Sequence, residues 1–160
     1  METIAARKTE LGAEIPYKFD PNYISSTDEP EYQTEGSVGM DLPADLQREA
    51  TLDPNGRMLI PTGLKVALPP GTEAQVRPRS GLALDHGLTV LNTPGTIDQD
   101  YRGDIGVILV NLSNVTARVE PGERIAQIVF SPVLKANMQR TDSLPDPEET
   151  HEGFGSTGSA

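Results

Sequence analysis

The chain has 160 residues, 36% hydrophobic and 23% charged, which suits one domain with a real core and not a disordered or fibrous protein. Its formal net charge of −11 argues against a duplex-binding surface of dispersed positive charge, though not against a small anionic ligand held by a few arginines. The absence of cysteine excludes disulfides, a thiolate nucleophile and a cysteine zinc site, and no apolar run nears the ~20 residues of a membrane span.

In chain order, the opening METIAARKTELGAEIP lacks the apolar core of a signal peptide, so a soluble, cytoplasmic protein is expected. Residues 1–35 show no clear period, include SSTDEPE (25–31), and are expected to form a partly irregular extension. From residue 36 to 135 a β domain is expected. MLIPTGLKVAL (58–68), with a Pro-Thr-Gly turn, AQVRPR (74–79), LTVLN (88–92), DIGVILVNLS (104–113), VTARVE (115–120) and RIAQIVFSPV (124–133) all carry strand-like bias. Short strands with Gly/Pro turns point to an all-β sandwich or barrel. SGLALDHG (80–87) is the exception, a helix of about two turns with Ser80 as N-cap and Gly87 as its stop. Residues 136–160 form an arm ending in GFGSTGSA. Aromatic residues are only 4% of the chain, and apolar surface buried between subunits would compensate.

Four stretches carry residue types suited to chemistry. RPRSGLA (77–83) offers guanidinium groups, a hydroxyl and helix-start N–H groups to a phosphate, and Gly81 removes a side chain from the approach. An ordinary helix cap with surface arginines accounts for the same residues. In LNTPGTIDQDYRGD (91–104), Pro94-Gly95 marks the turn of an expected hairpin. Regular alternation there puts Asp98 and Asp100 on one face and Tyr101 on the other, to orient water or to solvate a strand edge. GERIAQIVF (122–130) alternates so that Gln127 shares a face with Ile125, while Arg124 shares one with Ala126 and Ile128; Gln127 then needs a partner, a phosphate or a neighbouring backbone. GFGSTG (153–158) sets one ring and two hydroxyls in a glycine-rich strip that suits closure over a bound base, or a simple flexible end.

Together with GSVGMDLPAD (36–45), these stretches resemble, in order, the five motifs of the dUTPase family over roughly residues 36–158. The resemblance implies a distorted jelly roll assembled as a homotrimer with active sites shared between subunits, hydrolysing dUTP to dUMP and pyrophosphate. Such an enzyme keeps uracil out of DNA and supplies dUMP for thymidylate synthesis. Asp98 matches the carboxylate that activates water for attack on the α-phosphorus, with Mg²⁺ held by phosphates and water rather than by side chains. Arg79, Ser80, Gly81 and Gln127 match phosphate-binding positions. Asn92 and the backbone of Gly95, Thr96 and Ile97 match the segment that reads uracil, and Tyr101 the ring that packs on deoxyribose. Asp41 matches an acid that braces the arginines, and Arg124 is read as structural. Phe154 would stack on uracil, with Ser156 and Thr157 reaching the γ-phosphate. Family members usually carry an arginine five positions before that phenylalanine; here Glu149 stands there. The replacement implies weaker triphosphate binding or slower turnover.

Two other readings share the fold. Relatives that deaminate dCTP typically place another residue where this chain has Gly81 and use a catalytic glutamate, whereas this chain has the IDQDYRG segment and the phenylalanine tail. A weakened dUTP-binding module is motivated by Glu149 and opposed by Asp98, Tyr101, Ser80 and Gln127.

Overall fold

A computed structural model describes residues 12–23 and 30–145. Eleven strands and one helix are present among them. They are β1 (Tyr17–Phe19), β2 (Met40–Pro43), β3 (Ala50–Leu52), β4 (Arg57–Pro61), β5 (Leu64–Val66), β6 (Thr72–Arg77), α1 (Ser80–His86), β7 (Leu88–Val90), β8 (Gly95–Ile97), β9 (Gly106–Asn111), β10 (Ala117–Val119) and β11 (Arg124–Pro132). Every strand pair is antiparallel, arranged as β1-β5, β10-β3, β2-β11-β6-β8 and β4-β9-β7. The all-β expectation holds, as a distorted jelly roll.

The strands form because their β-branched and aliphatic residues alternate into one core. Leu42, Ile60, Leu88, Ile105, Leu109, Ile125 and Ile128 are among its largest fully buried side chains. Each such residue contributes about 1.5–3 kcal/mol of burial. Pro61-Thr62-Gly63 divides β4 from β5 as its composition suggests. Gly63 has φ +69°, and a β-carbon there would collide with the Tyr23 ring. Thr62 is buried and donates its hydroxyl to Ile105 O at 2.6 Å, which ties this turn to the start of β9. Strand β1 lies within the stretch read as irregular, where it pairs with β5 and Phe19 stacks on Tyr23 at 4.3 Å.

Three local expectations are corrected. β7 and β8 do not pair as a hairpin: β7 joins β9, and β8 joins β6. Each has only three residues, and each finds a six-residue strand whose buried face extends the core. Regular alternation in β11 also fails, because the register shifts between Arg124 and Ala126 and buries Ile125 and Ala126 side by side. Finally, Ser80 is the first helical residue, and Arg79, in extended conformation, takes the N-cap position without a side-chain cap. Gly87 does end α1, in the left-handed conformation at φ 66°.

Beyond β11 the chain crosses Val133 and continues without secondary structure to residue 145, with Leu134, Met138 and Leu144 all more than four-fifths exposed. Among the described residues, no helix is long and apolar enough to cross a membrane.

Candidate active site

The four-stranded sheet positions most of the candidate residues. Asp41 on β2 stands opposite Gln127 on β11, and Gln127 stands opposite Arg77 on β6, so three of the sequence stretches meet in one cross-strand row. Just past the end of β6, Arg79 turns back over the sheet. Its Nε lies 2.9 Å from Asp41 Oδ1, and its Nη1 donates to Arg124 O at 2.9 Å. Arg124 Nη1 reaches the other Asp41 oxygen at 3.1 Å. One carboxylate therefore holds two guanidinium groups. Both pairs are partly open to water, so their worth lies in fixing geometry more than in stability.

Gln127 is half-buried and donates from Nε2 to Pro78 O at 2.9 Å, which holds the 78–81 loop from behind. Gly39 makes that possible, since a β-carbon there would collide with Gln127 Oε1. The buried-glutamine question thus resolves, within the chain, in favour of a neighbouring backbone.

Ser80 and Gly81 are exposed at the start of α1, with no side chain capping the helix and no acid in its first turn. Uncapped N–H groups at a helix start, beside two arginines, suit an anion. At Gly81 a β-carbon would meet nothing nearer than Asp85 Oδ2 at 4.0 Å, and its φ is not in the left-handed region. Nothing among the described residues requires glycine at that position.

A second cluster lies on and around β8. Asn92 is exposed and Gly95 buried, and a β-carbon on Gly95 would stand 3.2 Å from Asn92 Nδ2 and 3.4 Å from Val76 Cβ. The glycine lets the asparagine amide lie close over the strand. Thr96 is exposed and Ile97 half-buried, paired with Gln75 and Ala74.

Asp98 is exposed, and here the expected alternation breaks. Asp98 to Tyr101 form a turn closed by Tyr101 N–H donating to Asp98 O at 3.1 Å, so Asp98 and Asp100 do not line one strand face. β6 runs on past Ala74, the partner of Ile97, to Thr72, so the turn at Asp98 and not the end of the partner strand is what stops β8.

That turn is tied at several points. Arg102 Nη1 donates to the carbonyls of Gln99 and Tyr101, each at 2.7 Å. Gln99 Oε1 accepts from Gly71 N–H at 3.3 Å, and Tyr101 OH donates to Asp104 O at 2.7 Å. Burial raises the Asp104 carboxyl above its ordinary value; Lys65 pulls it back, while Asp45 and Asp20 push it further up. Its Oδ1 is buried and has no hydrogen-bond partner among the described residues. Sequence reasoning missed Gly39, Arg102 and Gly103, whose roles are visible only through the side chains they seat or the carbonyls they clasp. The glycines were the available signal.

The two clusters do not meet within one chain. Asp98 follows the end of β8 at the level of Glu73 on β6, whereas Arg79 lies beyond the other end of β6, and Asp41 sits on the opposite sheet edge. At about 3.3 Å per residue and about 4.8 Å per strand, the separation is roughly 20 Å in each case. Phe154, Ser156, Thr157 and Glu149 lie outside the described residues.

The model of a protein family described as dUTPase matches residues 26–158. The deoxyuridine 5'-triphosphate nucleotidohydrolase of Fusobacterium nucleatum is 53% identical over 129 residues, covering 81% of this chain and 88% of that protein. The protein of the same description from Beijerinckia indica is 55% identical over 131 residues, covering 81% and 82%. Among solved structures, Staphylococcus bacteriophage 80alpha dUTPase with dUPNHPP superposes with a TM-score of 0.81 at 22% identity, covering 92% of this chain and 100% of that one. A mutant dUTPase from phage phi11 of S. aureus, described with a structural Mg(II) ion, gives a TM-score of 0.73 at 18% identity, covering 84% and 100%.

Proposed function

This chain belongs to the dUTPase family, and from that membership we propose how its residues divide the work of hydrolysing dUTP to dUMP and pyrophosphate. Asp98 orients a water for in-line attack on the α-phosphorus. A carboxylate is a weak base, so placing the water matters more than basicity. Arg79, Ser80 and Gly81 take phosphate oxygens, with Asp41 and Arg124 holding the Arg79 guanidinium and Gln127 supporting the loop that carries it. Asn92 and the backbone of Gly95 to Ile97 read the uracil edge, and Tyr101 packs on deoxyribose. Phe154, Ser156 and Thr157 close over base and γ-phosphate.

Among the described residues no cluster of three or more acidic or imidazole side chains could hold a metal. In this reading, which follows the family resemblance, the donors for Mg²⁺ are the substrate phosphates and water, and the ion would neutralise triphosphate charge when bound.

One observation carries the assignment of roles: the braced arginine loop and the Asp98 turn sit roughly 20 Å apart in one chain. Neither alone is a site for a nucleoside triphosphate. The separation supports a homotrimer in which one subunit lends its loop, another its Asp98 turn, and a third its tail. An exposed segment bearing Leu134, Met138 and Leu144 suits an arm that reaches a neighbour.

Pyrophosphate release from dUTP with Mg²⁺, beside an Asp98→Asn control, tests the reading. Release that the control leaves unchanged would overturn the role of Asp98.

A further inference from the structure

We propose that Gly103 is a specificity-determining residue, the seat that fixes the Tyr101 ring in the orientation with which it meets the sugar. The inference rests on the reading of Tyr101 given above and extends it to a residue that never touches substrate.

Tyr101 is 42% exposed, yet it is held at several points. Its N–H is bound to Asp98 O, its carbonyl to Arg102, and its hydroxyl to Asp104 O at 2.7 Å. The hydroxyl bond folds the ring back over its own turn, onto the backbone of Gly103. A β-carbon at Gly103 would lie 2.5 Å from the Tyr101 hydroxyl, 2.7 Å from Cζ and 3.1 Å from Cε2. Real β-carbons do not approach other atoms at the first two distances. All three nearest atoms belong to Tyr101, and no other residue comes as close.

The backbone supplies no competing reason for glycine. The described glycines with positive φ are Gly63, Gly71, Gly87 and Gly122, and Gly103 is not among them. The three nearest atoms that an alanine β-carbon would meet there all belong to the tyrosine ring and its hydroxyl.

The chemistry of the choice gives the seat its value. A 2′-hydroxyl differs from a 2′-hydrogen by one oxygen, and a wall excludes it only if the wall cannot yield. A ring free to swing about its Cα–Cβ bond would move aside. A ring pinned at its hydroxyl and backed by bare glycine backbone cannot retreat without losing the bond to Asp104 O, and misplacement on the scale of 1 Å is enough to cost large factors in rate.

The test is the ratio of kcat/KM for dUTP to that for UTP, measured on the full chain by pyrophosphate release. Gly103→Ala should lower the ratio roughly tenfold, an expected loss of discrimination for one displaced wall. Tyr101→Phe, which frees the ring without adding an atom, should lower it by a smaller factor. Tyr101→Ala should lower it most, and adding Gly103→Ala to Tyr101→Ala should change the ratio no further, because the glycine acts only through the ring.

A Gly103→Ala ratio equal to that of the unaltered chain, with Tyr101→Ala still lowering it, overturns the seat and leaves the role of Tyr101 standing. An unchanged ratio in Tyr101→Ala overturns both. Should Gly103→Ala fail to fold, Tyr101→Phe decides: a ratio unmoved there means the ring does not need its anchor.

Discussion

The two halves of the candidate site are built on different principles. The corner around Asp41 is assembled from distant parts of the chain: Asp41, Arg79 and Arg124 come from β2, the loop after β6, and β11, and are joined by ion pairs of 2.9 and 3.1 Å. The turn from Asp98 to Asp104 is largely local, knotted by contacts between residues one to three positions apart, with Gln99 to Gly71 and the Asp104 carboxyl to the Gly63 backbone as outside tethers. A charged brace suits a group that must grip an anion in fixed geometry. A local knot suits a carboxylate and ring that must be presented outward, toward another copy. The contrast teaches that one half depends on the sheet being intact and the other mainly on its own few residues.

The largest effects should come from separating the halves. Asp98→Asn should cut turnover about 10³-fold with little change in Tm, because the exposed carboxylate makes no described side-chain contact. Arg79→Ala should be nearly as damaging to kcat/KM, about 10²-fold, since it removes a ligand for phosphate and leaves Asp41 to Arg124 alone. If sites are shared, co-refolding equal amounts of these two inactive variants should restore roughly a quarter of full activity, the chance that a site draws each half from the competent parent. Activity that stays at the level of the separate variants would mean each chain holds its own site.

A smaller effect is expected at Gly81. Gly81→Ala meets open space and should raise helix stability by about 0.5–1 kcal/mol, while KM for dUTP rises several-fold. A KM that does not move would argue that phosphate stays clear of the helix start. In the tail, Glu149→Arg should lower KM or raise kcat, because a carboxylate near a triphosphate repels it; steady-state kinetics that leave both constants unchanged would dismiss any role for position 149.

The smallest effect concerns the buried acid beside the knot. The Asp104 carboxyl is raised by burial, so its ionised form is the costly one in the folded chain. The cost is absent below its unfolded pKa and grows as pH rises through the folded value. Asp104→Asn should therefore leave Tm unchanged or slightly lower near pH 4 and raise it by a degree or two near pH 7.5. Thermal unfolding at the two pH values checks the sign.

Much of the strand content was legible because apolar and β-branched runs are separated by glycine and proline, as at Pro61-Thr62-Gly63. The stop of α1 was equally plain, since Gly87 closes the stretch and glycine adopts the left-handed conformation readily. Pairing was not legible. Whether β8 joins β7 or β6 depends on which longer strand offers a buried face, and this is a property of the whole fold. Nor did residue type alone reveal that Asp41 and Arg79 would meet; they come from either side of β11, and only the family resemblance linked them. The end of β8 was not legible either, as alternation continues on paper through Asp98 and Asp100, where the chain instead closes a tight turn.

The irregularity in β11 has a consequence for the charged corner. In an uninterrupted strand, residues 124 and 127 are three apart and so face opposite ways. The spare residue between Arg124 and Ala126 resets the phase, and Arg124 comes to stand opposite Pro43 while Gln127 stands opposite Asp41, both on one side of the sheet. A half-step slip in a single strand is what lets a guanidinium and an amide serve the same loop. Were the same residues to run as a straight strand with Ile125 kept, that guanidinium would turn to the other face and leave the Asp41 carboxylate one cation short; excising Ile125 would instead keep Arg124 opposite Pro43 and remove only a buried side chain.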